Sequence, residues 1–159
     1  MKLSRTNPAI QVGEIISKLS KILEKEKKYG LSKEEVWKDF ANKVNNQKEL
    51  LLNELKELKS EGKKIAVYGA SGKGQSLLQY CGIGKEYIDF VVDKSSLKHN
   101  KFTPGTYIPI HSTTEIMKRK PDVLLLCAWN FADEIYAQQE EYVSQGGKLL
   151  HPIPIPHYL

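Results

Sequence analysis

The stretch Lys64-Ile65-Ala66-Val67-Tyr68-Gly69-Ala70-Ser71-Gly72-Lys73-Gly74-Gln75-Ser76 decides the fold. It passes from a short apolar run through a glycine-rich turn into a helical pattern. A phosphate-cradling crossover in an α/β protein begins this way, because glycines let backbone N–H groups approach an anion at a helix N-terminus. The glycines fall as G-x-x-G-x-G. A dinucleotide fingerprint needs G-x-G-x-x-G, and Ser71 stands where its second glycine would make room for pyrophosphate. An ATP-binding P-loop needs four residues before Gly-Lys and then Ser or Thr. Here Ala70 and Ser71 alone intervene, and Gly74 follows Lys73. Two readings stay open: Lys73 and the local N–H groups hold a phosphate, or the turn simply joins strand to helix.

Downstream, short strands alternate with helices. Ile65–Tyr68 reads as the first strand and Gln75–Tyr80 as part of the first crossover helix. Tyr87–Val92 is a second strand ending at Asp93, and Lys94–Thr106 a polar loop containing Pro104-Gly105. Ile108–Ile110 is a brief strand, Thr113–Lys120 a short helix, and Asp122–Ala128 an almost continuous apolar strand suited to burial on both faces. Ala132–Ser144 reads as one helix stopped by Gly146-Gly147, and Lys148–His151 as the last strand. The prolines of His151-Pro152-Ile153-Pro154-Ile155-Pro156 lack the N–H needed to continue a ladder. This alternation implies right-handed βαβ crossovers, hence an α/β fold with a doubly wound, mainly parallel sheet of about five strands.

Upstream, Val12, Ile15, Ile16, Leu19, Ile22 and Leu23 recur at three- and four-residue steps, an amphipathic helix that Tyr29-Gly30 breaks. Ser32 with Glu35 reads as a capping box opening a second helix toward Ser60, with Val36, Trp37, Phe40, Val44, Leu51, Leu55 and Leu58 on its apolar face. Gly62 is a natural stop. The expected organisation is an N-terminal helical extension over residues 1–30 and a domain over 31–159. That domain comprises a long leading helix over 32–60 and an α/β sheet over 63–159.

With 159 residues, the chain can enclose one well-buried core with an appendage. Its net charge of +5 is spread: residues 1–62 carry 13 basic and 10 acidic side chains, and residues 63–159 carry 11 and 9. Nucleic-acid binders cluster basic residues on one face, and Arg5 and Arg119 are the whole arginine complement, so no nucleic-acid partner is expected. No apolar run reaches the roughly 18 residues of a membrane span. Met1 to Val12 lacks the apolar core of a signal peptide, so the expectation is a cytoplasmic protein with no membrane partner. Cys81 and Cys127 are far apart in apolar settings, which suits two buried free thiols.

In a doubly wound sheet, ligands sit beyond the carboxyl ends of the strands. The unusual residues gather at those ends: Gly69–Gly74, Asp93, His111-Ser112, Trp129-Asn130 and His151-Pro152. Asp93, 24 residues after Gly69, stands near where an acid would hold ribose hydroxyls, or caps its own loop. Trp129 and Asn130 suit stacking on a ring and fixing a carbonyl or hydroxyl, and Asn130 would equally serve as a helix N-cap. Asp89 reads as structural. His99, His111, His151 and His157 show no metal spacing, and nothing marks a nucleophile elbow, so no catalytic residue is assigned.

Taken together, Tyr68–Gly74, Leu78–Gly84, Ile88–Asp93, Thr103–Ile110 and Ala128–Phe131 resemble the C-terminal domain of S-adenosylmethionine-dependent C-methyltransferases acting on nucleotide-linked deoxysugars. The match spans about residues 30–159, in the family's order. The resemblance implies a Rossmann-like fold that helps enclose a nucleotide-sugar ligand. Its substrate-binding role would fall on Gly69, Ser71, Gly72, Lys73, Gly74, Asp93, Trp129 and Asn130. The family's methyl donor belongs to a central domain, and its zinc to an N-terminal piece with cysteine ligands; this sequence carries neither, and Val67-Tyr68 stand where a donor loop would have an acid. S-adenosylmethionine is therefore expected only on a separate or fused methyltransferase domain, and no methyl transfer by this chain alone. Two alternatives remain: a free-standing nucleotide-binding or regulatory module, and an interaction module docking a partner through its N-terminal helices.

Overall fold

The computed structural model describes the backbone from Pro8 to Leu159 and side chains from Val12 onward. The stretch read as lacking a signal peptide lies outside the described residues as far as Asn7. The chain forms two compact units, Met1–Val44 and Asn45–Leu159, so the division falls within the second helix, whereas the sequence reading placed it after residue 30.

The first unit holds α1 (Pro8–Tyr29) and the opening of α2 (Glu34–Ser60). The helix starts at Glu34, two residues after Ser32, which displaces the expected Ser32–Glu35 box from the cap position. Glu34 and Glu35 instead place negative charge at the positive end of the helix dipole. The Trp37 indole donates to the Leu31 carbonyl at 2.8 Å and meets Phe40 edge-on.

The second unit is built on a seven-stranded sheet in the order β3-β4-β2-β1-β5-β6-β7. Its strands are β1 (Ile65–Tyr68), β2 (Phe90–Asp93), β3 (Lys101–Phe102), β4 (Pro109–Ser112), β5 (Val123–Leu126), β6 (Lys148–His151) and β7 (His157–Tyr158). The five strands from β4 to β6 pair in parallel, as the alternating pattern requires. The edge strands β3 and β7 are antiparallel additions of two residues each. They correct two readings: the polar loop contains a strand, and the proline-rich tail returns to the ladder after Pro156. Both strands depend on pairing with a neighbour, which a two-residue segment cannot signal in its own pattern.

Helices cover both faces: α3 (Gly72–Cys81), α4 (Glu115–Arg119), α5 (Ala132–Gln138) and α6 (Glu140–Ser144) follow in turn. The helix expected over Ala132–Ser144 is broken at Gln139, where φ is −108°, and restarts with Glu140 and Glu141. Two-residue periodicity sorts the core. Ile65, Val67, Val123, Leu125 and Cys127 pack with Leu51, Leu55, Leu58 of α2 and Leu78 of α3. Ala66, Tyr68, Leu124 and Leu126 pack on the other face with Ile116, Ile135 and Tyr142. Every residue of β1, β2 and β5 is buried, consistent with a sheet covered on both sides.

Polar anchors complete this unit. Asp89 accepts from the Ile65 N–H at 2.9 Å and from Lys59 at 3.3 Å, a structural role as read. The buried Gln47 amide donates to the Pro152 carbonyl at 2.8 Å, and Tyr158 of β7 donates to Glu54. Gln47→Ala strands that carbonyl and is expected to lower stability by about 1–2 kcal/mol, read from urea midpoints.

Candidate functional site

Chain order around β1 sets the site. From β1 the chain moves outward through β2 to β4, then crosses back to β5 on the other side of β1. The strand order therefore reverses between β1 and β5, and a crevice opens beyond their carboxyl ends.

The glycine turn forms one wall. Gly69 has a φ of +101°, and a Cβ there would lie 2.8 Å from the Ala128 Cβ, so only glycine lets the two strand ends approach this closely. Ser71 caps α3: its hydroxyl accepts from the Gly74 N–H and donates to the Cys127 carbonyl, both at 3.1 Å. Gly74 fits against Cys127, whereas a Cβ on Gly72 would meet nothing within 4 Å. The ammonium of Lys73 lies 5.7 Å from the centre of the Trp129 ring, within cation–π range.

Two adjoining hollows result. An open cleft of about 220 Å3 is walled by Tyr68, Gly69, Asp93, Lys94, Phe131 and Glu134, with Ala128 and Ile135 completing it. A smaller hollow of about 60 Å3 brings Ser71, Lys73, Trp129 and Asn130 together, and shares Ala128 and Phe131 with the first. The structure thus gathers Gly69 and Asp93 at one hollow and Ser71, Lys73, Trp129 and Asn130 at the next. Gly72 and Gly74 shape the turn between them without lining either.

Asp93 is 8% exposed, and its carboxylate faces inward. One oxygen accepts from the Ala70 N–H at 2.8 Å and from Lys98 at 2.9 Å; the other accepts from the Ser95 N–H at 2.8 Å. Burial pushes its pKa up, but these donors outweigh burial and hold it below the ordinary value. Asp93 therefore fastens β2 to the glycine turn. Asn130 lies in a 3-10 turn over Trp129–Phe131, and the cap position of α5 falls to Phe131, which corrects the reading of Asn130 as N-cap.

Sequence reasoning missed Tyr68, Lys94, Phe131 and Glu134. The Tyr68 hydroxyl is buried with no hydrogen-bond partner among the described residues. Burial raises its pKa, with the charge of Lys94 acting the other way. Lys94 pairs with Glu134 at 2.8 Å on the rim, beside Phe131, which is 60% exposed. At the other end of the turn, Gln75 is 7% exposed and its amide oxygen and nitrogen also lack partners. A buried polar group without a partner costs about 1–3 kcal/mol. The turn thus carries such groups on both flanks, a concentration typical of functional surfaces. The one signal available in sequence was a polar-tipped residue closing an otherwise aliphatic strand.

Cys127 is an inert neighbour: burial pushes its thiol up to about 12, and both cysteines are free and buried. Among the described residues, no group of three or more His, Cys, Asp or Glu could hold a metal, and no helix is long and apolar enough to cross a membrane.

A doubly wound α/β domain with a crevice at its switch point is the class that fold and site define. Residues 4–154 match the C-methyltransferase C-terminal domain family, and the chain belongs to that family. The C-methyltransferase NovU of Streptomyces niveus is similar to it, with 34% identity over 152 residues. That match covers 96% of this chain and 36% of NovU, so the chain spans about a third of its curated relative's length. A UDP-D-quinovosamine 4-dehydrogenase from Vibrio fischeri overlaps 55% of this chain and 75% of its own, with 23% identity and a TM-score of 0.42. An overlap that loose carries no functional argument.

Proposed function

We propose that the chain is the nucleotide-sugar-binding C-terminal domain of a sugar C-methyltransferase and leaves methyl transfer to a domain outside it. The pair of hollows joined across Ala128 and Phe131 carries this reading, with unpartnered buried polar groups beside the turn that divides them. Lys73 and the start of α3 supply positive charge for a diphosphate, while Trp129 and Phe131 supply faces for rings. Pockets that take a whole cofactor or drug-sized ligand measure about 300–1,000 Å3. A cleft of about 220 Å3 holds only part of a sugar nucleotide, which suits a wall completed by a second domain.

The methyl donor does not fit these residues. Asp93, the acid placed where a ribose would be held, has both oxygens engaged. Tyr68 occupies the end of β1, where a donor loop would carry an acid. Location in the cytoplasm belongs to the same reading.

Calorimetric titration with thymidine-diphosphate sugars tests it. The expected result is weak binding, reduced about tenfold in Lys73→Ala, the loss of one charge-assisted contact. S-adenosylmethionine should give no signal in equilibrium dialysis. Absence of any heat with sugar nucleotides, or tight binding of a different nucleotide, overturns the proposal; the latter result indicates a regulatory module.

A further inference from the structure

The first unit carries a surface that its own elements leave open. Val12, Ile15, Ile16, Leu19, Ile22 and Leu23 are each between 52% and 63% exposed, although the family match includes all six. At 3.6 residues per turn they fall on one arc of α1. Lys18 and Lys25 border one side of that arc and Lys27 the other, while Glu26 falls inside it one turn after Ile22 and Leu23. Half-exposed side chains of this number leave on the order of 500 Å2 of apolar surface, near the upper range for a monomer without a partner there.

We infer that this stripe of α1 docks in an apolar groove rimmed with Asp and Glu on a methyltransferase domain, on the same polypeptide or another. The inference rests on the proposed function for the identity of the partner. The stripe lies inside a region similar to NovU, and 64% of NovU's length is unmatched by this chain. The relative therefore carries a large body of sequence that could cover it. A second copy of this chain fits less well. It would set lysine-edged stripes against each other, and a stable pair needs about 800 Å2 from each partner. A groove also takes up the lysine stems and reaches that area. A lipid surface fits less well again, because Glu26 would enter the apolar layer with no cation to meet it.

A photo-crosslinking amino acid in place of Leu23 of the full chain tests this in the cells that make the protein, with mass spectrometry of the adducts. The expected adduct is a peptide from a methyltransferase domain, reduced at least tenfold in Leu19→Asp/Ile22→Asp and unchanged in Ser17→Asp on the opposite face. Absence of an adduct, an adduct with a second copy, lipid or another protein, or equal yield in the stripe variant overturns the inference. Sugar-nucleotide titration of the same variants reads the other unit. No methyltransferase adduct from the otherwise unmutated Leu23-substituted chain, with its sugar binding intact, tells against docking alone; no sugar binding by that chain, with the adduct formed, tells against the proposed function alone.

Discussion

Gly74→Val is expected to lower the stability of the Asn45–Leu159 unit by about 3 kcal/mol or more. A Cβ at this position would lie 2.5 Å from the Cys127 Cβ and 3.1 Å from its carbonyl oxygen. Cys127 cannot retreat: it is 1% exposed, and that oxygen accepts from Ser71. The Ser71 hydroxyl would itself lie 3.2 Å from the new carbon, so the cap of α3 is disturbed together with the core contact. Gly72→Ala is the matched control, since a Cβ there meets nothing within 4 Å. Urea denaturation followed by far-ultraviolet circular dichroism should show a large drop for the first and a change within about 1 kcal/mol for the second. Equal midpoints for the two variants would show that close approach of α3 to the end of β5 is not what holds the turn.

The Asp93→Ala variant should lose about 2–3 kcal/mol at neutral pH, because the Ala70 and Ser95 N–H groups and the Lys98 ammonium lose one shared acceptor. The loss should shrink in acid. The folded-state pKa of Asp93 is depressed, so the stability it confers is complete above the unfolded carboxyl value of 3.8 and disappears as pH falls through the lower folded value. Wild type and variant should therefore converge between pH 5 and the acid limit. Glu115, held at about 2 by Lys118 and Arg119, gives both proteins an acid-sensitive background of the same sign. A gap in urea midpoints that stays constant from pH 7 to pH 3 would refute an ionic origin for the effect.

What the sequence made legible was whatever depends on local pattern. The strands Ile65–Tyr68 and Lys148–His151 stand where their apolar runs place them, and Asp93 ends the second strand as read. Asp89, read as structural, accepts from the Ile65 N–H, whereas Ser71, read as a substrate contact, also caps α3, a role the sequence reading did not name. The cleft was less legible. Tyr68, Lys94 and Glu134 lie far apart in the chain: pairing of β1 with β2 sets Lys94 near Tyr68, and the crossing from β4 back to β5 adds Glu134. The cap expected at Asn130 falls to Phe131 because a 3-10 turn, which one residue more or less rearranges, precedes α5.

The two-residue strands β3 and β7 have a consequence for how this domain can meet other proteins. They close the ends of the parallel sheet with segments too short to template another strand, and β7 is backed by the Tyr158–Glu54 hydrogen bond. Intermolecular strand pairing, the common route to runaway aggregation in open sheets, is thereby denied a starting row of free backbone groups. Association is left to side chains on helices and loops, where shape and charge can choose a partner.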